Sequence, residues 1–138
     1  MSQGNVEIAQ AAVDALNRGD WNAAVKDAAP DFELDLSRGT GPDAGVYEGG
    51  QAREWWHRFT VSWESIAFEP REFIPVDEHV VIPLTMRARG RDGIEVSSSP
   101  TWVLTFGNGV LARVRMYQER ADALGSRHRE PSRPYCPG

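Results

Sequence analysis

Two periodicities divide the chain. Val6, Ala9, Val13 and Leu16 recur every three or four residues, and Ile8, Ala12 and Ala15 widen the stripe, which predicts an amphipathic first helix. Gly19 is placed to end that helix in a left-handed cap, and Asp20 to cap the next. The second helix, with Trp21, Ala24, Val25 and Ala28 on one side, is expected to stop at Pro30. Asp31 to Leu36 then alternates strictly, so Phe32, Leu34 and Leu36 face the core. Ser37 to Glu48 reads as a twelve-residue loop rich in Gly, Pro and Asp, long enough to serve as a lid or binding loop. A third helix is predicted next, with Ala52, Trp56, Phe59 and Trp63 stacked along its buried face.

From Phe68 onward the pattern is strand. Val80, Ile82, Leu84, Met86 and Ala88 share one face of a long strand, and Val96, Ser98, Pro100, Trp102, Leu104 and Phe106 share one face of the next. After Gly107-Asn108-Gly109 the chain returns through Val110, Ala112, Val114, Met116 and Gln118. A three-residue turn sets these last two groups on one face, whereas a two-residue Asn108-Gly109 turn would oppose them. Pro70, Pro75, Pro83 and Pro100 cannot donate to a ladder, so they belong at edges or at the bulges that bend a sheet. Three helices followed by twisted strands predict an α+β domain, in which a curved antiparallel or mixed sheet wraps round the helices as a cone with an internal pocket. That domain is expected over residues 1–124. Residues 125–138 lack periodicity and read as a disordered tail.

Composition narrows the class. The chain has 138 residues, 41% hydrophobic, with no apolar run near the twenty or so residues that span a bilayer. The first residues lack the layout of a secretory signal, and a single cysteine, Cys136, builds no internal disulfide and no metal site. A cytoplasmic protein with no metal, no cofactor and no membrane partner is the expectation. Formal charge is −5, and the last fourteen residues carry three arginines against one glutamate, which leaves the body more acidic still. Such a body argues against nucleic acid, and Arg87, Arg89, Arg91, Arg113 and Arg115 read as solvated strand arginines.

The helical hairpin with Asn17-Arg18-Gly19-Asp20, the loop ending Val46-Tyr47-Glu48-Gly49, the Trp-rich third helix and the final hairpin ending Arg113-Val114-Arg115-Met116-Tyr117 occur in an order that resembles the SnoaL-like polyketide cyclases. That family lies within the nuclear transport factor two-like superfamily, which also holds ketosteroid isomerase, scytalone dehydratase and limonene epoxide hydrolase. The resemblance covers roughly residues 3–124 and implies the cone fold and a small-molecule pocket. Most of its known catalytic residues do not carry over, which leaves room for an acid at another position. The tyrosine and base of ketosteroid isomerase fall at Ala12 and Leu36, the limonene epoxide hydrolase aspartate at Met116, and the SnoaL acid and histidine at Met116 and Trp102. Met and Trp cannot exchange a proton with substrate.

The residues themselves offer other candidates. Trp56, Phe59, Trp63, Trp102 and Met116 either line an aromatic cavity or fill the core, and Tyr47 either folds over the cavity or staples the third helix. Ser98 and Gln118 are the polar groups on otherwise apolar inward faces. For proton handling there are Glu72, whose parity with Phe68, Ile74 and Val76 points inward unless a bulge at Pro70 flips the register, Asp35, a mouth acid or a solvated strand-end acid that parity points outward, and His57, on a polar flank of the third helix that either reaches the cavity edge or faces solvent. The outer sheet face mixes Val103, Thr105, Leu111, Arg113, Arg115 and Tyr117, which suits a homodimer joined back to back. Two functions stay open. One is a site for a hydrophobic, cyclic or polyketide-like compound, with cofactor-free isomerase, cyclase or dehydratase chemistry. The other is a non-catalytic ligand carrier or dimeric interaction module.

Overall fold

The computed structural model describes residues 2–37 and 45–117. Helix α1 (Ser2–Asn17) and the single turn α2 (Trp21–Ala24) form a hairpin, followed by β1 (Ala28–Asp35), β2 (Val46–Glu48) and α3 (Gly50–Val61). Then come β3 (Trp63–Pro70), β4 (Ile74–Val76), β5 (His79–Gly90), β6 (Glu95–Ser98), β7 (Thr101–Gly107) and β8 (Val110–Tyr117). The strands form one mixed sheet in the order β2-β1-β8-β7-β5-β3, with β4 and β6 also paired to β5. Among the described residues only β1 against β8 is parallel. This is the cone expected from the sequence.

The hairpin motif has a clear physical reading. The N–H of Gly19 bonds to the Leu16 carbonyl and that of Asp20 to the Ala15 carbonyl, with Gly19 at φ 74°. These are the two bonds of a Schellman cap, which needs a left-handed residue. Asp20 then accepts from the Ala23 N–H at 3.1 Å and caps α2. Asn17 donates to the Phe68 carbonyl and accepts from the Phe68 N–H, both at 2.8 Å. It pairs with β3 much as a neighbouring strand would.

The prolines mark the bend. β5 pairs with β7 up to Pro83 and with β3 from Leu84 onward, so one strand serves two sheet directions. Pro83 sits at the exchange, Pro75 lies in the short strand β4, and Pro100 lies in the break between β6 and β7. The concave side holds the main core, with Val13 from α1, Trp56 from α3, and Phe32, Phe68, Ile82, Trp102 and Leu104 from the sheet.

Several elements differ from the periodicity. The second helix stops at Ala24 rather than at Pro30, because β1 begins at Ala28 and pairs with Leu111 of β8. Residues 46–48 form a strand against β1, and residues 38–44 of the expected loop lie outside the described residues. Trp63 is not on α3 but opens β3 opposite Gly90, since strand pairing overrides the helical spacing. The strand containing Trp102 begins only at Thr101, so Val96 and Ser98 are exposed on β6 instead of facing the core. The final hairpin turns on two residues, Asn108 and Gly109, at φ 56° and 81°. A bulge at Ala112 then restores the register, so Val114 and Met116 lie opposite Leu104 and Trp102. Leu111, expected outside, is thereby turned into the core, while Val110 is exposed. Gln118 and the expected tail fall outside the described residues.

Candidate functional site

A cavity of about 40 Å3 lies between the hairpin, α3 and the concave sheet. α1 contributes Ala12, Val13 and Leu16, and the hairpin's second arm contributes Trp21, Ala24 and Val25. Trp56 covers it from α3, and Phe32, Leu34, Trp102, Leu104, Leu111, Val114 and Met116 rise from the sheet. Each of these side chains is apolar in body. The aromatic members touch one another: ring centroids lie 6.0 Å apart for Trp21 and Trp56, and 6.5 Å apart, edge to face, for Trp56 and Trp102. Such contacts hold the walls in register and add about 0.5–1.5 kcal/mol per pair beyond burial.

Of the aromatic set read from the sequence, Trp56, Trp102 and Met116 line this cavity. Phe59 instead stacks on Trp55 at 5.0 Å, and Tyr47 packs on the same indole from β2. Trp63 faces a different hollow, a surface groove of about 520 Å3 beside the hairpin. Trp21, Leu16 and Trp55 were missed as site or supporting residues. Trp21 and Leu16 were legible as buried helix positions, but nothing local says that their helices frame a void. Trp55 precedes Trp56 and lies off the single stripe that Ala52, Trp56 and Phe59 mark, although the helix buries it too.

The proton-handling candidates are separated. Glu72 is exposed in the short link between β3 and β4, because residues 71–73 are not strand and parity does not extend through them. His57 is exposed on α3 and lines the surface groove with Arg53. Ser98 is exposed on β6. Asp35 keeps its outward parity but is only 9% exposed, on the convex side of the sheet. Its Oδ1 accepts from the Ser37 N–H at 2.9 Å and from the Ser37 hydroxyl at 2.6 Å, and Oδ2 accepts from Arg115 Nε at 3.2 Å. Burial pushes the carboxyl up, but the Ser37 hydrogen bonds and the Arg115 guanidinium outweigh it, leaving the group below its ordinary 3.8. Glu33 and Arg113, one pair along, repeat the arrangement at 3.1 Å. These pairs brace the parallel β1–β8 seam and do not reach the cavity lining. Among the described residues no three His, Cys, Asp or Glu side chains gather in a metal-holding arrangement, and no helix is long and apolar enough to cross a membrane.

Comparison with known proteins agrees with this fold. The model of the SnoaL-like domain matches residues 9–122. No curated protein matches the chain. Among solved structures, TerC co-crystallised with polyporic acid is 18% identical, with a TM-score of 0.75 over 88% of this chain and 95% of that one. An NTF2-like protein from Burkholderia pseudomallei is 20% identical, with a TM-score of 0.72 over 88% of this chain and 95% of its own. A candidate polyketide cyclase from Sinorhizobium meliloti is 20% identical, with a TM-score of 0.64 over 80% of this chain and 93% of its own. At these identities the likeness establishes the shared fold.

Proposed function

The chain belongs to the SnoaL-like domain family, and on that premise we propose that it is a binding module for a small hydrophobic compound with a ring, seated behind Trp21 and Trp56. The observation that carries this reading is the wholly apolar lining of the cavity. An apolar void offers water no partners and favours an apolar occupant. The void at rest is smaller than the roughly 150 Å3 hole that accepts benzene in an engineered core. A ring therefore enters by displacing a wall. Met116 is unbranched and adaptable, and Trp21 is only partly buried, so these are the walls that yield. The co-crystal of TerC with polyporic acid and the cyclase-like neighbour support a ring compound of polyketide type.

In this reading the module holds its ligand without acid–base chemistry inside the cavity, since none of the side chains lining it titrates. The proposal extends to a cytoplasmic setting and to a homodimer joined through the convex sheet face, where Thr105, Arg113 and Arg115 remain part-exposed. Equilibrium dialysis against naphthalene tests the cavity. Saturable binding is expected, and Ala12→Leu or Ala24→Val, each pushing methyl groups into the void, is expected to weaken it about tenfold or more. Circular dichroism checks that the variants fold. Binding that is absent, or indifferent to both substitutions, would remove the cavity from the account.

A further inference from the structure

The apolar cavity ends at Leu16, Trp21 and Trp56, and the same three side chains form part of the wall of the surface groove. Five charged or titratable side chains line that groove: Arg18, Asp20, Arg53, His57 and Glu64. Three are committed elsewhere. Arg18 pairs with Asp14, Glu64 reaches Arg89 at 3.9 Å, and Asp20 caps α2. Arg53 and His57 have no side-chain partner among the described residues. They stand four residues apart on α3, hence on one side of the helix. Trp63, in the same groove, has its indole N–H buried with no acceptor among the described residues. A buried donor left unpaired is costly and rare.

We propose that the groove is an oxyanion subsite for the cavity's ligand, and that Arg53 and His57 are the residues that bind it. This rests on the cavity reading above and adds the ligand's class: a compound whose apolar ring lodges behind Trp21 and Trp56 and whose acidic oxygen function, a carboxylate or an ionised enol, emerges into the groove. The Arg53 guanidinium presents a planar fork of donors to such an anion, and the His57 ring supplies one N–H when neutral and two when protonated. Asp20 puts a carboxylate in the same groove, so the anion settles toward α3 and away from the hairpin. Leu16, Trp21 and Trp56 are common to both hollows, so a molecule that displaces the part-buried Trp21 side chain reaches from one into the other.

Parallel dialysis with naphthalene and 1-naphthoate separates this claim from the one beneath it. The wild-type protein is expected to bind 1-naphthoate about tenfold more tightly than naphthalene. Arg53→Gln and His57→Gln each narrow that ratio and the double variant removes it, with naphthalene affinity unchanged. Asp20→Asn, which keeps the helix cap, widens it. Equal affinities in the wild type, or a ratio unmoved in the double variant, overturn the subsite and leave the cavity standing. Failure of both probes to bind overturns both.

Discussion

Asp35 illustrates how far one side chain's surroundings outrun its position in a pattern. Alternation points it away from the core, where an acid is ordinarily solvated, yet Ser37 and Arg115 flank it and donate to both oxygens. Its lowered pKa has a definite sign. A carboxyl whose folded value lies below 3.8 adds stability that is present above that pH and is lost as pH falls through the folded value. Asp35→Asn is therefore expected to cost about 1–2 kcal/mol at pH 7, discounted for the part-exposed Arg115. Urea denaturation from pH 7 to pH 3 checks it, and the gap to wild type should close on the acid side. A constant gap would mean that the ion pair contributes nothing through charge. Parity gave the outward direction of Asp35, left Glu72 open between two registers and failed for Ser98, because alternation has meaning only inside a continuous strand. Residues 71–73 and 99–100 interrupt two strands that the periodicity treats as unbroken.

At the scale of elements, Asn17 ties the helical half to the sheet through two hydrogen bonds. It sits where α1 ends and satisfies both backbone groups of the buried Phe68 on β3, fifty-one residues away. Asn17→Ala leaves that donor and acceptor without a side-chain partner on a part-buried edge strand, and a loss of about 1–2 kcal/mol is expected in chemical denaturation. A change under half a kcal/mol would show that water replaces the amide freely. The motif around it was readable as a hairpin because Gly19 and Asp20 have fixed roles at helix ends, but the partner of Asn17 was invisible. The final hairpin shows the complementary limit. Gly107-Asn108-Gly109 announced a turn, yet a two-residue turn plus a bulge at Ala112 brings Val114 and Met116 to the face that a three-residue turn would also have given them. Both solutions meet the same demand, that Val114 and Met116 face the core, and they differ at Leu111, which only the bulge carries inward.

For the whole molecule, the cavity is a remainder left by packing three helical segments against a bent sheet. Its walls come from six elements and the turn after α2, and its small size depends on how far Trp21, Trp56 and Met116 lean into it. The proposed dimer belongs to this scale too. Leu111 has left the convex face, and Arg113 and Arg115 are paired within their own chain, so the face differs from the one the alternating pattern implied. Light scattering at micromolar concentration is expected to give twice the 15.3 kDa chain mass, and a species of the chain mass alone would remove the dimer. By itself the sequence determined the α+β class, the hairpin, the run of strands and most of the inward set, because those follow from short-range spacing and from Gly, Asp and Pro at element ends. Only the tertiary structure decided where α3 yields to β3, that Asp35 is enclosed, and that an apolar void and a polar groove share a wall at Leu16, Trp21 and Trp56. Those outcomes depend on contacts between residues far apart in the chain, and no local pattern encodes the distance between two surfaces that meet only on folding.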